Sequence, residues 1–162
     1  MTQWIATTHR TKKFELFINP EKTLFKKSTT RLQYRLEREI RALEKARDLG
    51  LANVQRLVSH GEEGDELYMI TEYCGTGITR RLLPRDWRIQ LHGIERSLDL
   101  LKGSGVYHND VLIRNILVTG GVMTLIDFDM ATFDTPDRRG TKRPVFNTTQ
   151  PVIDKIVRKW RL

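Results

Sequence analysis

Asp110, Asn115 and Asp127 are the residues whose types and spacing best suit chemistry. The stretch HNDVLIRN (108–115) gathers a histidine, an aspartate, an arginine and two asparagines between a glycine-broken helical pattern and an apolar strand. Asn115 opens the run NILV, Asp127 follows the run VMTLI, and TGG between them makes the two runs a hairpin. Antiparallel pairing then brings Asn115 and Asp127 to the same end. Asp110 lies in the loop feeding that end, so two carboxylates and a carboxamide converge there. Such oxygen ligands suit a hard cation such as Mg2+, which keeps several waters and takes few carboxylates plus substrate phosphates. Asp129 follows as a third carboxylate.

A second pair comes from the first helical pattern. Leu32, Leu36, Ile40 and Leu43 form one stripe from Thr29 to Leu49, ended by Gly50, with Thr29 or Thr30 as N-cap. Glu39 falls at the edge of that stripe and faces the sheet, where a half-buried carboxylate needs a cation. The strand TLFKK supplies Lys26 and Lys27 on opposite faces. Phe25 is the better core residue, which predicts that Lys26 faces the cleft; a one-residue change of register would exchange the lysines.

The plainer alternatives are a polar turn at HNDVLIRN whose side chains satisfy backbone amides, an ordinary edge-strand lysine at Lys26, and a solvated pairing of Glu39 with Arg35 or Arg38. Convergence of Asp127 with the HNDVLIRN loop favours a site.

The elements that must position these residues follow in order. QWIAT, KFELFI and TLFKK predict an antiparallel meander, the helix comes next, and VQRLVSH and ELYMITEY form two further strands joined by GEEGD. Trp87, Leu91, Ile94, Leu98 and Leu101 mark a second amphipathic helix, stopped by Gly103 and Gly105. After the hairpin, Thr135 to Gln150 reads as loop. Pro151 then starts a short basic helix with Val152, Ile153, Ile156, Val157 and Trp160 on one face.

The bulk numbers bound the partners. A chain of 162 residues, 39% hydrophobic, suits one compact domain or two small lobes around a cleft. Its 28 basic against 20 acidic residues favour phosphate-bearing partners. The single cysteine, Cys74, excludes an internal disulfide and a cysteine metal cluster. No stretch reaches the apolar length of a membrane span or a signal peptide, so the expectation is a soluble cytoplasmic protein. Between Arg138 and Arg161 eight basic residues stand near three acidic ones, which as a charge run usually means a solvated face and otherwise a protein or RNA surface.

The ordered set of Lys26 in TLFK, Glu39 in REIRAL, HND followed by Asn115, and Asp127 in IDFD resembles the protein-kinase superfamily. NVQRLVSHGEEGDELYMITEYC is similar to the strand pair leading to a kinase hinge. The resemblance spans residues 1–133 and implies an α+β, minimal two-lobed kinase-like fold. In that fold an N-lobe (1–74) has a five-stranded antiparallel sheet and one helix, and a truncated helical C-lobe (75–162) carries the catalytic loop, metal-binding hairpin and basic tail. It also implies the roles. Asp110 accepts or orients the hydroxyl proton, Asn115 and Asp127 hold Mg2+, and Lys26 contacts the ATP phosphates while paired to Glu39. Thr71 is gatekeeper, Glu72 and Cys74 are backbone partners for adenine, Leu24, Leu117 and Ile126 line its pocket, and His108 braces the loop.

Departures from the family pattern qualify the activity. No glycine precedes Gly50, so the tip THRTK would cover phosphates with His9, Arg10 and Lys12. Leu112 stands where protein kinases carry the loop lysine, leaving Arg114 as a charge substitute. DFG has become DFD. The 33 residues after Asp129 hold no APE-like anchor and leave no room for a helical substrate lobe. These features resemble the small atypical branch: RIO-like, KEOPS-type and lipopolysaccharide-kinase-like proteins. The expected function is an ATP- and Mg2+-dependent, serine/threonine-kinase-like phosphotransferase acting on a hydroxyl of the chain itself, of a partner protein that brings its own docking surface, or of a small molecule, with protein ranked first. The rivals are a pseudokinase-type interaction module and an RNA-associated ATPase.

Overall fold

The computed structural model of the chain describes residues 2–7, 14–133 and 146–162. His9, Arg10 and Lys12 at the predicted hairpin tip, and most of the predicted loop from Thr135 to Gln150, lie outside the described residues.

Five strands make the first sheet: β1 (Ile5–Ala6), β2 (Glu15–Ile18), β3 (Leu24–Thr29), β4 (Leu57–Glu63) and β5 (Glu66–Glu72). Their order is β1-β2-β3-β5-β4, with every neighbouring pair antiparallel. β4 starts later than VQRLVSH because Val54 bridges to Leu125 and the Gln55 N–H donates to the Leu125 carbonyl instead, and ends later because the turn is tighter than GEEGD: only Gly64 and Asp65 separate the two strands. Gly64, at φ +66°, supplies the left-handed conformation that so short a connection needs.

The helix α1 (Gln33–Asp48) crosses this sheet between β3 and β4. It begins later than the predicted Thr29, because Ser28 and Thr29 stay in β3, paired with Tyr68 and Leu67. The Thr29 hydroxyl instead accepts the backbone N–H groups of Arg31 and Leu32, at 3.2 and 3.1 Å. Leu36, Ile40 and Leu43 on α1 enter the core, as their spacing requires, together with Leu57 and Met69 from the sheet.

The remainder is built on α2 (Trp87–Gly103) and α3 (Gln150–Trp160), with short strands between. β6 (Thr76–Gly77), β8 (Ile116–Thr119) and β9 (Val122–Leu125) form a three-stranded sheet, and β7 (Val106–Tyr107) pairs with β10 (Thr132–Phe133). Leu91, Ile94 and Leu101 of α2 and Ile156 of α3 are fully buried in the same core as α1. Gly120 and Gly121, at φ +54° and +79°, make the two-residue turn between β8 and β9. No helix among the described residues is long and apolar enough to cross a membrane.

Candidate active site

The hairpin register sets the site. Ile116 pairs with Leu125, and the backbone N–H of Ile126 donates to the Asn115 carbonyl at 2.9 Å. Asn115 and Asp127 therefore emerge side by side, as the sequence predicts. Asn115 Nδ2 donates to the Asp110 carbonyl and to Asp110 Oδ2, both at 2.8 Å. Among the described residues that leaves Asn115 Oδ1 as the side-chain atom that could face a cation. Arg114 also grips Asp110, with Nη2 at 3.0 Å from Oδ1 and 2.8 Å from Oδ2.

The loop ahead of Asp110 is pinned from several sides. His108 Nε2 lies 3.0 Å from the Ile126 carbonyl, its Nδ1 accepts the Asp110 N–H at 3.2 Å, and its ring meets Phe128 edge-on at 4.3 Å. Burial holds the imidazole below its ordinary pKa, against the upward pull of the Ile126 carbonyl, Asp127 and Asp110. His108 is thus a neutral brace. Asn109 takes a left-handed φ of +67°, which asparagine tolerates. Its Nδ2 donates to the Met130 carbonyl and Thr132 Oγ1, at 3.1 and 2.9 Å, and its Oδ1 accepts from Asn147 Nδ2 at 2.9 Å. Asp127 also sits at a positive φ, +66°. Aspartate, like asparagine, adopts this region more readily than other non-glycine residues, and positive-φ residues of this kind gather at functional sites.

Across the cleft, the lysine is one residue later than predicted. Lys27 Nζ lies 2.7 Å from Glu39 Oε2 and 3.2 Å from Asp127 Oδ1. Lys26 points to the other face, over the Tyr68 ring at 4.7 Å and 3.6 Å from Glu63. Phe25 is indeed an inward residue, but the core and the cleft lie on the same face of the sheet, so the cleft lysine shares its side. The same step corrects Leu24, which lies on the Lys26 face of β3. Phe25 takes its place along the cleft.

Burial disfavours the Lys27 ammonium, but Glu39 and Asp127 more than reverse this and raise its pKa overall. Burial drives the Glu39 carboxyl upward, and Lys27 opposes the shift. Glu39 itself is only 1% exposed, more buried than the half-buried carboxylate that its place at the edge of the stripe predicts. Arg35, one turn earlier, reaches Asp129 rather than Glu39, with Nη1 at 3.4 Å from Oδ2. The cleft between these groups holds about 270 Å3. Its apolar side is formed by Phe14, Leu16, Phe25 and Ile126, with the Phe14 ring 4.3 Å from Lys27 Nζ. A larger hollow of about 420 Å3, bordered by Ser28, Thr30 and Glu66, contains none of these charged groups.

Thr71 is fully buried opposite Phe25, and its hydroxyl accepts Gln55 Nε2 at 2.8 Å. The Glu72 N–H is engaged by the Arg56 carbonyl at 3.0 Å, and its own carbonyl accepts the Cys74 thiol at 3.4 Å. Leu117 is half-buried on β8, on the face away from Ile116 and Val118. Lys27, Phe14, Leu16, Phe25, Gln55, the Arg35–Asp129 pair and the Asn109–Asn147 pair are site features beyond the sequence expectations. Of these, only Lys27 and Phe25 had a signal, the alternation of TLFKK.

Among the described residues, no group of three or more His, Cys, Asp or Glu side chains is placed to hold a metal ion. Asp127 with Asn115 Oδ1 is a sparse set whose chemistry fits Mg2+ carrying water and phosphate oxygens, and does not fit a structural zinc site.

A lysine–glutamate pair bridging sheet and helix, an HxD loop joined to an asparagine, and an aspartate at positive φ after the hairpin together form a kinase-like cleft. The protein kinase domain family matches residues 17–150, and the chain belongs to that family. A serine/threonine-protein kinase of Dictyostelium discoideum, pakG, is similar, at 23% identity over 133 residues. That match takes in 76% of this chain but 11% of the Dictyostelium protein, so the chain spans about a ninth of that relative's length.

Proposed function

We propose that the chain transfers the γ-phosphate of ATP, with Mg2+, to a hydroxyl group, and that the acceptor is a protein or the chain itself. The observation that carries the proposal is the three-way contact of Lys27 with Glu39 and Asp127, which supports the reading because it sets a protonated amine beside the carboxylate that would hold the metal. Phosphoryl transfer chiefly needs such positioning and charge neutralisation. Lys27 would hold the α- and β-phosphates, Asn115 and Asp127 the metal, and Mg2+, when bound, neutralises charge on the phosphate oxygens. Asp110 would take the acceptor's proton as the new P–O bond forms and the bond to the β-phosphate breaks, leaving ADP. Arg114 would then turn from Asp110 to the transferred phosphoryl group, the work that a lysine in place of Leu112 would do. Phe25, Ile126 and Leu117 would enclose the base, with Thr71 at its rear and the backbone of Glu72 and Cys74 at its edge.

The division into lobes at residues 1–74 and 75–162, the small atypical branch and a cytoplasmic location belong to the same proposal. The absence of glycine before Gly50, Leu112 and the DFD sequence support that branch.

A second reading is a pseudokinase-type interaction module. It is favoured by the hold of Arg114 Nη2 on both Asp110 carboxylate oxygens and by the Phe14 ring over Lys27. Nothing among the described residues favours RNA. Incubation with γ-labelled ATP and Mg2+, for wild type beside Asp110→Ala and Asp127→Asn, decides between the two. Label transfer lost in both variants is the expected result; equal signal in all three would sink the enzyme reading.

A further inference from the structure

Arg35 and Glu39 are four residues apart on α1 and so lie on one side of the helix, one turn from each other. Both reach the loop after β9. Glu39 does so through Lys27, which touches Asp127; Arg35 does so directly, through Asp129 at 3.4 Å. The direct contact is partly shielded from water, with side chains 25% and 13% exposed. Arg35 Nε also donates to Tyr34 Oη at 3.3 Å, which fixes the plane of the guanidinium while Nη1 reaches Asp129.

The charge count gives this contact a purpose. Glu39, Asp127 and Asp129 bring three carboxylates to the cleft, where Lys27 and Arg35 are the cations among its described lining residues. Without Arg35, Asp129 would stand beside Asp127 with Lys27 as the remaining cation among the described lining residues, and no other cation on α1 in that lining would draw Asp129 toward the helix. DFD in place of DFG creates that demand, and an arginine one turn before Glu39 answers it.

Resting on the nucleotide-binding reading above, we propose that Arg35 is a positioning residue. By holding Asp129 it straps α1 to the metal-binding loop and thereby sets where Glu39 and Lys27 stand relative to Asp127. The strap ties the position of α1 to the loop without contact between Arg35 and substrate.

Hydrogen exchange of the α1 amides in the nucleotide-free full chain tests the strap without requiring catalysis. Arg35→Gln and Asp129→Asn should each speed exchange in the first two turns of α1 by about fivefold. The double variant should be no faster than either single one, and Arg35→Lys should recover part of the protection. Unchanged exchange, or effects that multiply in the double variant, would overturn the proposal. Steady-state kinetics with ATP adds a second readout. Arg35→Gln should lower kcat about tenfold with KM for ATP nearly unchanged. A rise in KM alone would make Arg35 a phosphate contact and overturn the positioning role. Should the wild type neither bind nor turn over ATP, the kinase reading fails, while the exchange data still decide whether the strap exists.

Discussion

Lys27 and Asp127 lie 100 residues apart in sequence, yet their charged atoms meet at 3.2 Å, with Glu39 closing on the same amine at 2.7 Å. One side chain thus couples a sheet, a helix and a hairpin loop. Removing it leaves Glu39 buried without its cation, the situation in which a buried pair is costly to break. Lys27→Met should lower unfolding free energy by about 3 kcal/mol and abolish ATP binding. Lys26→Met, on the outer face with an exposed partner, should change stability by less than about 1 kcal/mol and leave ATP binding intact. Chemical denaturation and a fluorescent nucleotide titration check both.

Most of the fold was legible because local patterns dictate it. The stripe from Leu36 to Leu43, the turn at Gly120 and Gly121, and the period of α2 each specify an element without outside help. Asn115 and Asp127 were legible for the same reason, since a two-residue turn fixes their register. The lysine was not, because alternation separates Lys26 from Lys27 but does not say which face carries the cleft. That depends on α1 and the cleft sharing the side that Phe25 faces, a tertiary fact. Arg35 with Asp129 and Asn109 with Asn147 are contacts across 94 and 38 residues, and no period in the chain encodes them.

Gln55 and Thr71 form a buried polar pair at the back of the cleft. Gln55→Leu leaves the Thr71 hydroxyl without its donor in a dry site and should cost about 1–3 kcal/mol. Adding Thr71→Val removes the orphaned hydroxyl and should restore part of that loss. A double-mutant cycle by urea denaturation measures the coupling, and simple additivity would show the hydrogen bond to be unimportant.

His108 predicts a pH dependence of stability. Burial lowers its folded pKa, whereas the unfolded chain protonates near the ordinary imidazole value of about 6.5. Below that value the unfolded state binds a proton that the native state refuses. The contribution is therefore present above about pH 6.5 and is lost as pH falls, by at most about 1.4 kcal/mol per pH unit. His108→Gln should be less stable at neutral pH yet show a flatter decline from pH 7 to 5. Parallel declines in the two proteins would show that His108 does not remain neutral.

Cys74 should be chemically silent in the folded protein. Burial and the nearby Glu72 carboxylate push its thiol up to about 12, and the thiol donates to the Glu72 carbonyl at 3.4 Å. Thiolate is the nucleophile, so little of it exists at pH 8. Labelling with iodoacetamide at that pH should be at least about a hundredfold slower than for an unfolded control and should accelerate with urea in step with unfolding. Rapid labelling of the native chain would mean that the segment between β5 and β6 opens on its own, and that the backbone edge proposed for adenine is not held in place before nucleotide arrives.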